Sequence, residues 1–174
     1  MPVLIIEGPD LAGKGFAIEK ICKRLHDGYL IKNLYKPVSY PDQKIYSQYY
    51  EVLRIYETQE GSIPLILDRF FPSQAVYSYL RNHDEMDSEQ ILDLDNECAK
   101  HNFLYVYLDT DLEVLKKRFL ERGDEHIKLD DLITLKQRYN IFYNKTSMRK
   151  IKLDTTQDNW LDVLESFVKE NEHK

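Results

Sequence analysis

The chain has 174 residues, 43% apolar and 31% charged, with a formal charge of −6. That length fits one domain that buries about two-thirds of the surface an unfolded chain exposes, and the composition excludes disorder, a collagen-like repeat and a disulfide scaffold. The acidic balance and the lack of a basic block argue against binding a nucleic acid polymer, which needs concentrated positive charge.

The first predicted element is a strand over Val3–Ile6, apolar at every position. It is too short for a leader or a membrane span, and neither is expected. A helix over Phe16–Leu25 follows, then a strand over Tyr29–Leu34 and a loop from Pro37 to Pro41. Gln43–Glu57 places Ile45, Tyr49, Val52, Leu53 and Tyr56 at helical spacing. Its tyrosines exceed what one buried face needs, which raises the possibility of a homodimer. Leu65–Leu67 is a third, wholly apolar strand, and Asn82–Asp87 a loop. Ser88 is the expected N-cap of a helix ending at Lys100. Phe103–Leu108 is another buried-type strand, and Asp111 caps a helix over Leu112–Leu120. The charged stretch Arg122–His126 joins it to a helix over Leu129–Asn144. Lys150, Ile151, Lys152 and Leu153 alternate, as on an edge strand protected by charge. Asp158 is the expected cap of a last helix whose Trp160, Leu161, Leu164, Phe167 and Val168 form one apolar stripe.

Strands alternating with helices predict an α/β fold, a five-stranded parallel sheet with helices on both faces. Residues 1–174 read as a single domain. Cys22 and Cys98 have neither metal-ligand nor disulfide spacing and read as reduced core residues, which suggests a cytoplasmic protein.

The strongest local signal is Gly8-Pro9-Asp10-Leu11-Ala12-Gly13-Lys14, the phosphate-loop pattern of Gly, four residues, Gly and Lys. It lies between a buried strand and a helix, the context the motif requires. Glycines let successive N–H groups turn toward phosphate oxygens, the helix start adds its positive dipole end, and Lys14 adds a mobile charge. One feature departs from the pattern: Gly15, followed by Phe16, stands where Ser or Thr would offer a hydroxyl to Mg²⁺. Water would have to fill that coordination position. The second signal is Asp68-Arg69 at the end of the Leu65–Leu67 strand, where open α/β sheets bind ligands. Asp68 suits a metal or a substrate hydroxyl, and Arg69 suits a phosphate.

Glu7-Gly8-Pro9-Asp10-Leu11-Ala12-Gly13-Lys14 resembles the phosphate loop of thymidylate kinases. Asp68-Arg69-Phe70-Phe71-Pro72-Ser73-Gln74-Ala75-Val76-Tyr77 is similar to the Asp-Arg-Tyr stretch of that family, with Phe70 in place of Tyr. Leu108 to Asp111, Arg118 and Arg122-Gly123 resemble its later strand, helix and lid start, and Arg138-Tyr139 and Lys150–Thr155 fall in order. Deoxynucleoside kinases share the architecture and Glu7.

The resemblance implies a three-layer P-loop kinase domain with a short lid around residues 118–128, transferring a phosphoryl group from ATP with Mg²⁺ to a deoxynucleoside monophosphate, with dTMP preferred. It implies that the loop amides from Gly8 to Phe16 and Lys14 hold the ATP phosphates, with Thr155 and Thr156 near adenine. Asp68 serves the metal. Arg118 and Arg122 approach the transferring group. Asp10, Lys36, Arg69, Phe70, Phe71, Ser73 and Tyr77 contribute to the acceptor site. Glu7 separates two chemistries: a nucleoside acceptor needs a base such as Glu7 to take its 5′-hydroxyl proton, whereas a monophosphate needs only cations. Asp10, where nucleoside kinases usually carry an apolar residue, favours the monophosphate. A deoxynucleoside kinase, and a nucleotide-binding protein without turnover, are the alternatives.

Overall fold

The computed structural model describes residues 2–24, 30–32, 43–58, 65–81, 84–123 and 127–171. Strands β1 (Leu4–Glu7), β2 (Leu30–Lys32), β3 (Leu65–Asp68), β4 (Leu104–Leu108) and β5 (Arg149–Leu153) form one sheet in the order β2-β3-β1-β4-β5. Every pairing is parallel. Four strands have four or five residues, and β2 has three. All residues of β1 and β4 are buried. Successive strand residues point to opposite faces, so both faces of the sheet centre are covered. The lysine-bearing β5 lies at a sheet edge, as its alternation predicts.

The helices are α1 (Lys14–Arg24), α2 (Gln43–Thr58), α3 (Phe71–Tyr77), α4 (Glu89–Lys100), α5 (Leu112–Arg122), α6 (Asp131–Lys145) and α7 (Trp160–Asn171). Ser88 caps α4, its side chain accepting from the Ile91 N–H, and Asp111 caps α5 through Glu113 and Val114. The last helix starts at Trp160, two residues beyond the expected cap Asp158. Sequence periodicity does not reveal α3, nor the 3-10 turn Ser78–Arg81 after it. All seven residues of α3 are buried, so it has no polar face to create a period. Its remaining local sign is Pro72 in the first turn, a position proline favours.

Of the predicted Tyr29–Leu34 strand, residues 30–32 are described, while Lys36 and the Pro37–Pro41 loop lie outside the described residues. The Asn82–Asp87 loop is described from residue 84, and the Arg122–His126 connection only at 122 and 123. Among the described residues no helix is long and apolar enough to cross a membrane. Cys98 is buried, Cys22 is half-buried, and both are free thiols.

A chain of aromatic rings fixes α2, α3 and α6 against the sheet. Tyr49 meets Phe70 at 4.8 Å, Phe70 meets Phe71 at 5.5 Å, and Phe71 meets Phe142 at 5.9 Å, each nearly edge to face. Such pairs contribute about 0.5–1.5 kcal/mol each beyond burial. The tyrosines of α2 are used inside the chain. Tyr46 donates to Glu85 at 2.6 Å, Tyr50 to Asp93 at 2.7 Å, and Tyr56 packs on Phe103. Buried Arg138 on α6 donates to the carbonyls of Ala75 and Val76 at 3.0 and 2.9 Å. It thereby satisfies the end of α3, where carbonyls lack helical partners.

Candidate active site

Because the sheet is parallel, β1, β3 and β4 all end at one edge, at Glu7, Asp68 and Leu108. The chain passes from β1 to β2 and β3 on one side and to β4 and β5 on the other, so a topological switch lies beside β1. The loop after β1 is there. Gly8 has φ of 156°, and a Cβ on it would lie 3.0 Å from the Leu108 carbonyl oxygen, which is why the position takes glycine. Leu11 and Gly13 also have positive φ, 65° and 88°.

Side chains from other elements fasten the carbonyls of this loop. Arg118 on α5 donates from Nη1 to the Leu11 carbonyl at 2.7 Å. The buried hydroxyl of Thr110, after β4, donates to the Ala12 carbonyl at 3.1 Å. The first turn of α1, which begins at Lys14, leaves N–H groups without helical partners. Lys14 folds back, with Nζ donating to the Gly8 and Pro9 carbonyls at 3.0 Å each. Burial first, and then the charge of Arg69, lower its ammonium to a pKa of about 7, against the opposing pull of Asp10, Glu7 and Asp68.

A cleft of about 680 Å³ opens over this loop. It brings together Asp10, Gly13, Lys14 and Gly15 of the loop, Asp68 and Arg69 after β3, Arg118 and Arg122 of α5, and Thr155 after β5, with Leu11 and Phe16 on its walls. Four cations and two carboxylates thus face one space at a helix N-terminus, an arrangement suited to a polyanion. Asp68 is half-buried, and its side chain makes no hydrogen bond or ion pair among the described residues. Its unengaged carboxylate suits a hard cation, which takes oxygen ligands. A Cβ at Gly15 would meet nothing within 4 Å.

Other sequence candidates sit elsewhere. Gly8, Pro9 and Ala12 are buried residues of the loop and do not line the cleft. Phe70 and Phe71, expected against the acceptor, are fully buried core rings; the aromatic chain to Tyr49 and Phe142 takes both faces. Thr156 is exposed and its hydroxyl donates to Asp154 at 2.7 Å, so of the two threonines Thr155 faces the cleft.

Glu7 is not placed as a base. It is fully buried, and its carboxylate accepts from the N–H groups of Phe70 and Ser73 at 2.8 and 3.2 Å and from the hydroxyls of Ser73 and Tyr139 at 2.6 and 3.1 Å. Burial raises its pKa, and Arg69 and these hydrogen bonds only partly offset that. Arg69 is buried as well, at φ 66°. It pairs with Asp10 at 2.5 Å and donates to Ser73 and Tyr139 at 3.0 Å each and to Tyr77 at 3.3 Å. Burial opposes its charge, but the oxygens of Tyr77, Tyr139, Asp10 and Glu7 prevail and hold its pKa above the ordinary value. Ser73 and Tyr77 therefore act on Arg69 and Asp10 and do not line the cleft. The sequence assigns no role to Thr110, in the turn after β4, or to Tyr139 on α6, because their contacts span 98 and 70 residues.

No family model matches the chain. It is 26% identical over 157 residues to the SPbeta prophage-derived uncharacterized protein YorR of Bacillus subtilis, covering 90% of this chain and 91% of that one. A crystal structure of YorR in complex with phosphorylated GDP matches with a TM-score of 0.76 at 23% identity, over 99% of this chain and 98% of that one. Deoxyadenosine kinase from M. mycoides with bound dCTP matches with a TM-score of 0.59 at 21% identity, over 97% and 99%. The same kinase with products dCMP and dCDP gives 0.61 at 19% identity, over 97% and 99%. The chain shares the α/β fold of YorR and of deoxyadenosine kinase.

Proposed function

We propose that this chain transfers the terminal phosphoryl group of ATP, with Mg²⁺, to a deoxynucleoside monophosphate. The observation that carries this is the cleft itself. Lys14, Arg69, Arg118 and Arg122 converge on it from three elements, over a loop fastened by Thr110 and Arg118. Phosphoryl transfer asks mainly for positioning and for offsetting negative charge. Lys14 leaves the Gly8 and Pro9 carbonyls for the outer phosphates, and Arg118 and Arg122 attend the transferring group. Asp68 would hold the metal, which would offset phosphate charge; Gly15 offers it no ligand. An oxygen of the acceptor phosphate attacks the γ-phosphorus, the β–γ bridging bond breaks, and ADP leaves.

The state of Glu7 supports a monophosphate over a nucleoside: its lone pairs are taken by four donors, so it is unsuited to accept a hydroxyl proton. The resemblance to thymidylate kinases favours dTMP. One observation favours a nucleoside acceptor instead: unengaged Asp68 faces the cleft, and a carboxylate there suits a base as well as a metal ligand. The likeness to deoxyadenosine kinase gives that second reading weight.

Coupled ADP release separates the readings. The acceptor panel should pair dTMP with thymidine, and dGMP and dAMP with their nucleosides, since the YorR complex holds a guanine nucleotide. Turnover with a monophosphate and none with its nucleoside supports the proposal, and the reverse supports the nucleoside kinase. ATP binding with no turnover on any acceptor leaves a nucleotide-binding protein, with Gly15 as its cause.

A further inference from the structure

The two sides of the Arg69 guanidinium have different surroundings. Nη1 donates to the Ser73 and Tyr139 hydroxyls at 3.0 Å each. Both hydroxyls lie within reach of the same Glu7 oxygen, Oε2, at 2.6 and 3.1 Å. Each hydroxyl has one proton, and with it directed to Glu7 the lone pairs are left for Arg69. The buried carboxylate and the buried guanidinium therefore attract one another through two bridging hydroxyls. Nη2 meets the buried Tyr77 hydroxyl at 3.3 Å and, at 2.5 Å, Asp10, which lines the cleft and whose side chain is 26% exposed.

Tyr139 has little freedom to leave this arrangement. Its ring stacks on Tyr107 at 5.6 Å and meets Tyr77 edge-on at 6.2 Å. The preceding residue, Arg138, fastens α6 to the end of α3. One helix thus sets both the main chain of α3 and the plane of the Arg69 guanidinium.

We infer that Tyr139 is a positioning residue for the acceptor: it fixes the Nη1 side of Arg69, so that an anionic acceptor engages the Nη2 side by exchange with Asp10. This rests on the monophosphate reading of the site. Asp10 is itself held, its Oδ2 accepting from the Tyr77 hydroxyl at 2.6 Å; without the Tyr139 hydroxyl, Nη1 loses an acceptor and the guanidinium can shift toward Asp10, a closer pair that competes better with the incoming phosphate. The ATP side, held by Lys14 and the loop, does not touch Tyr139.

The test is steady-state kinetics of Tyr139→Phe beside wild type, with Tyr143→Phe on the same helix as the control. The expected result is an acceptor KM raised about tenfold, the size of one hydrogen bond to a charged group. The KM for ATP stays within about twofold, and Tyr143→Phe matches wild type. Unchanged constants in Tyr139→Phe, or both KM values rising together, overturn the inference. If Tyr139→Phe does not fold, Ser73→Ala removes the other bridging hydroxyl and must show the same split. A wild-type protein that neither turns over nor binds any nucleoside monophosphate by calorimetry defeats the monophosphate reading, and the role of Tyr139 with it. Wild-type turnover with an unaltered Tyr139→Phe defeats the positioning role alone.

Discussion

The Thr110 hydroxyl holds the Ala12 carbonyl at 3.1 Å, fully buried, across a gap of 98 residues. Lys136 in turn holds the Thr110 carbonyl at 2.8 Å, so the end of β4 and the helix α6 brace the phosphate loop from behind. Thr110→Val keeps the volume and removes the donor, leaving the Ala12 carbonyl without that partner. Such a loss costs about 1–3 kcal/mol. The expected outcome is a lower unfolding temperature and weaker ATP affinity, restored by Thr110→Ser. Equal ATP affinity in Thr110→Val and wild type would show that the loop holds its shape without this brace.

Lys14 makes nucleotide binding depend on pH. In the free protein its ammonium titrates at about 7, lowered by burial and by Arg69. Bound phosphates favour the charged form, so the complex has a higher pKa. Below pH 7 both states are protonated and affinity is flat. Above it the complex must regain a proton that the free protein has lost, so affinity falls by up to about tenfold per pH unit. Calorimetry at pH 8 in two buffers of different ionisation heat should register proton uptake on ATP binding, and Lys14→Met should remove it. No uptake by wild type contradicts this titration. The same shift acts on folding. The folded state binds fewer protons than the unfolded chain between pH 7 and the ordinary lysine value of 10.5, so this group makes stability rise with pH across that window.

Gly15 has open space around its Cα and lies in the first turn of α1, so a side chain there fits. Gly15→Ala should stabilise the fold by about 0.5–1 kcal/mol through helix propensity, with ATP affinity unchanged. Gly15→Ser should in addition lower the Mg²⁺ concentration needed for half-maximal turnover, by supplying a hydroxyl ligand. Identical Mg²⁺ titrations for Gly15→Ser and wild type would place the metal away from this position.

Glu7 is a scaffold carboxylate, and Glu7→Gln tests that. An amide offers one oxygen and one NH₂ where four donors now converge, and it removes the charge that balances Arg69. The expected result is a loss of about 1–3 kcal/mol in denaturant unfolding, with residual turnover keeping the wild-type pH profile. A rate limb that disappears in Glu7→Gln would return Glu7 to the role of base.

Elements with a local signature are legible in the sequence. The apolar runs at β1, β3 and β4 and the caps Ser88 and Asp111 all write themselves into a few neighbouring residues. The cleft residues Asp10, Lys14, Asp68 and Arg69 are legible for the same reason, since two strand ends carry them. What the sequence hides is long-range or unpatterned. The helix α3 is buried all round and shows no period. Phe70 and Phe71 follow the Asp-Arg pair and read as site residues, yet chain direction at Arg69, with its φ of 66°, turns them into the core. Glu7 next to the loop reads as a reactive carboxylate because spacing does not show the four donors around it. Thr110 and Tyr139 lie in stretches that carry the family resemblance, but their roles exist only through contacts with residues far away in the chain.

A loop from Gly8 to Lys14 that grips a triphosphate binds ATP in the presence of Mg²⁺, which titration calorimetry measures. Saturable binding at one site is expected, weakened about ten- to a hundredfold in Lys14→Ala. No measurable affinity of the wild-type protein for ATP, dATP or GTP, with or without Mg²⁺, would contradict it.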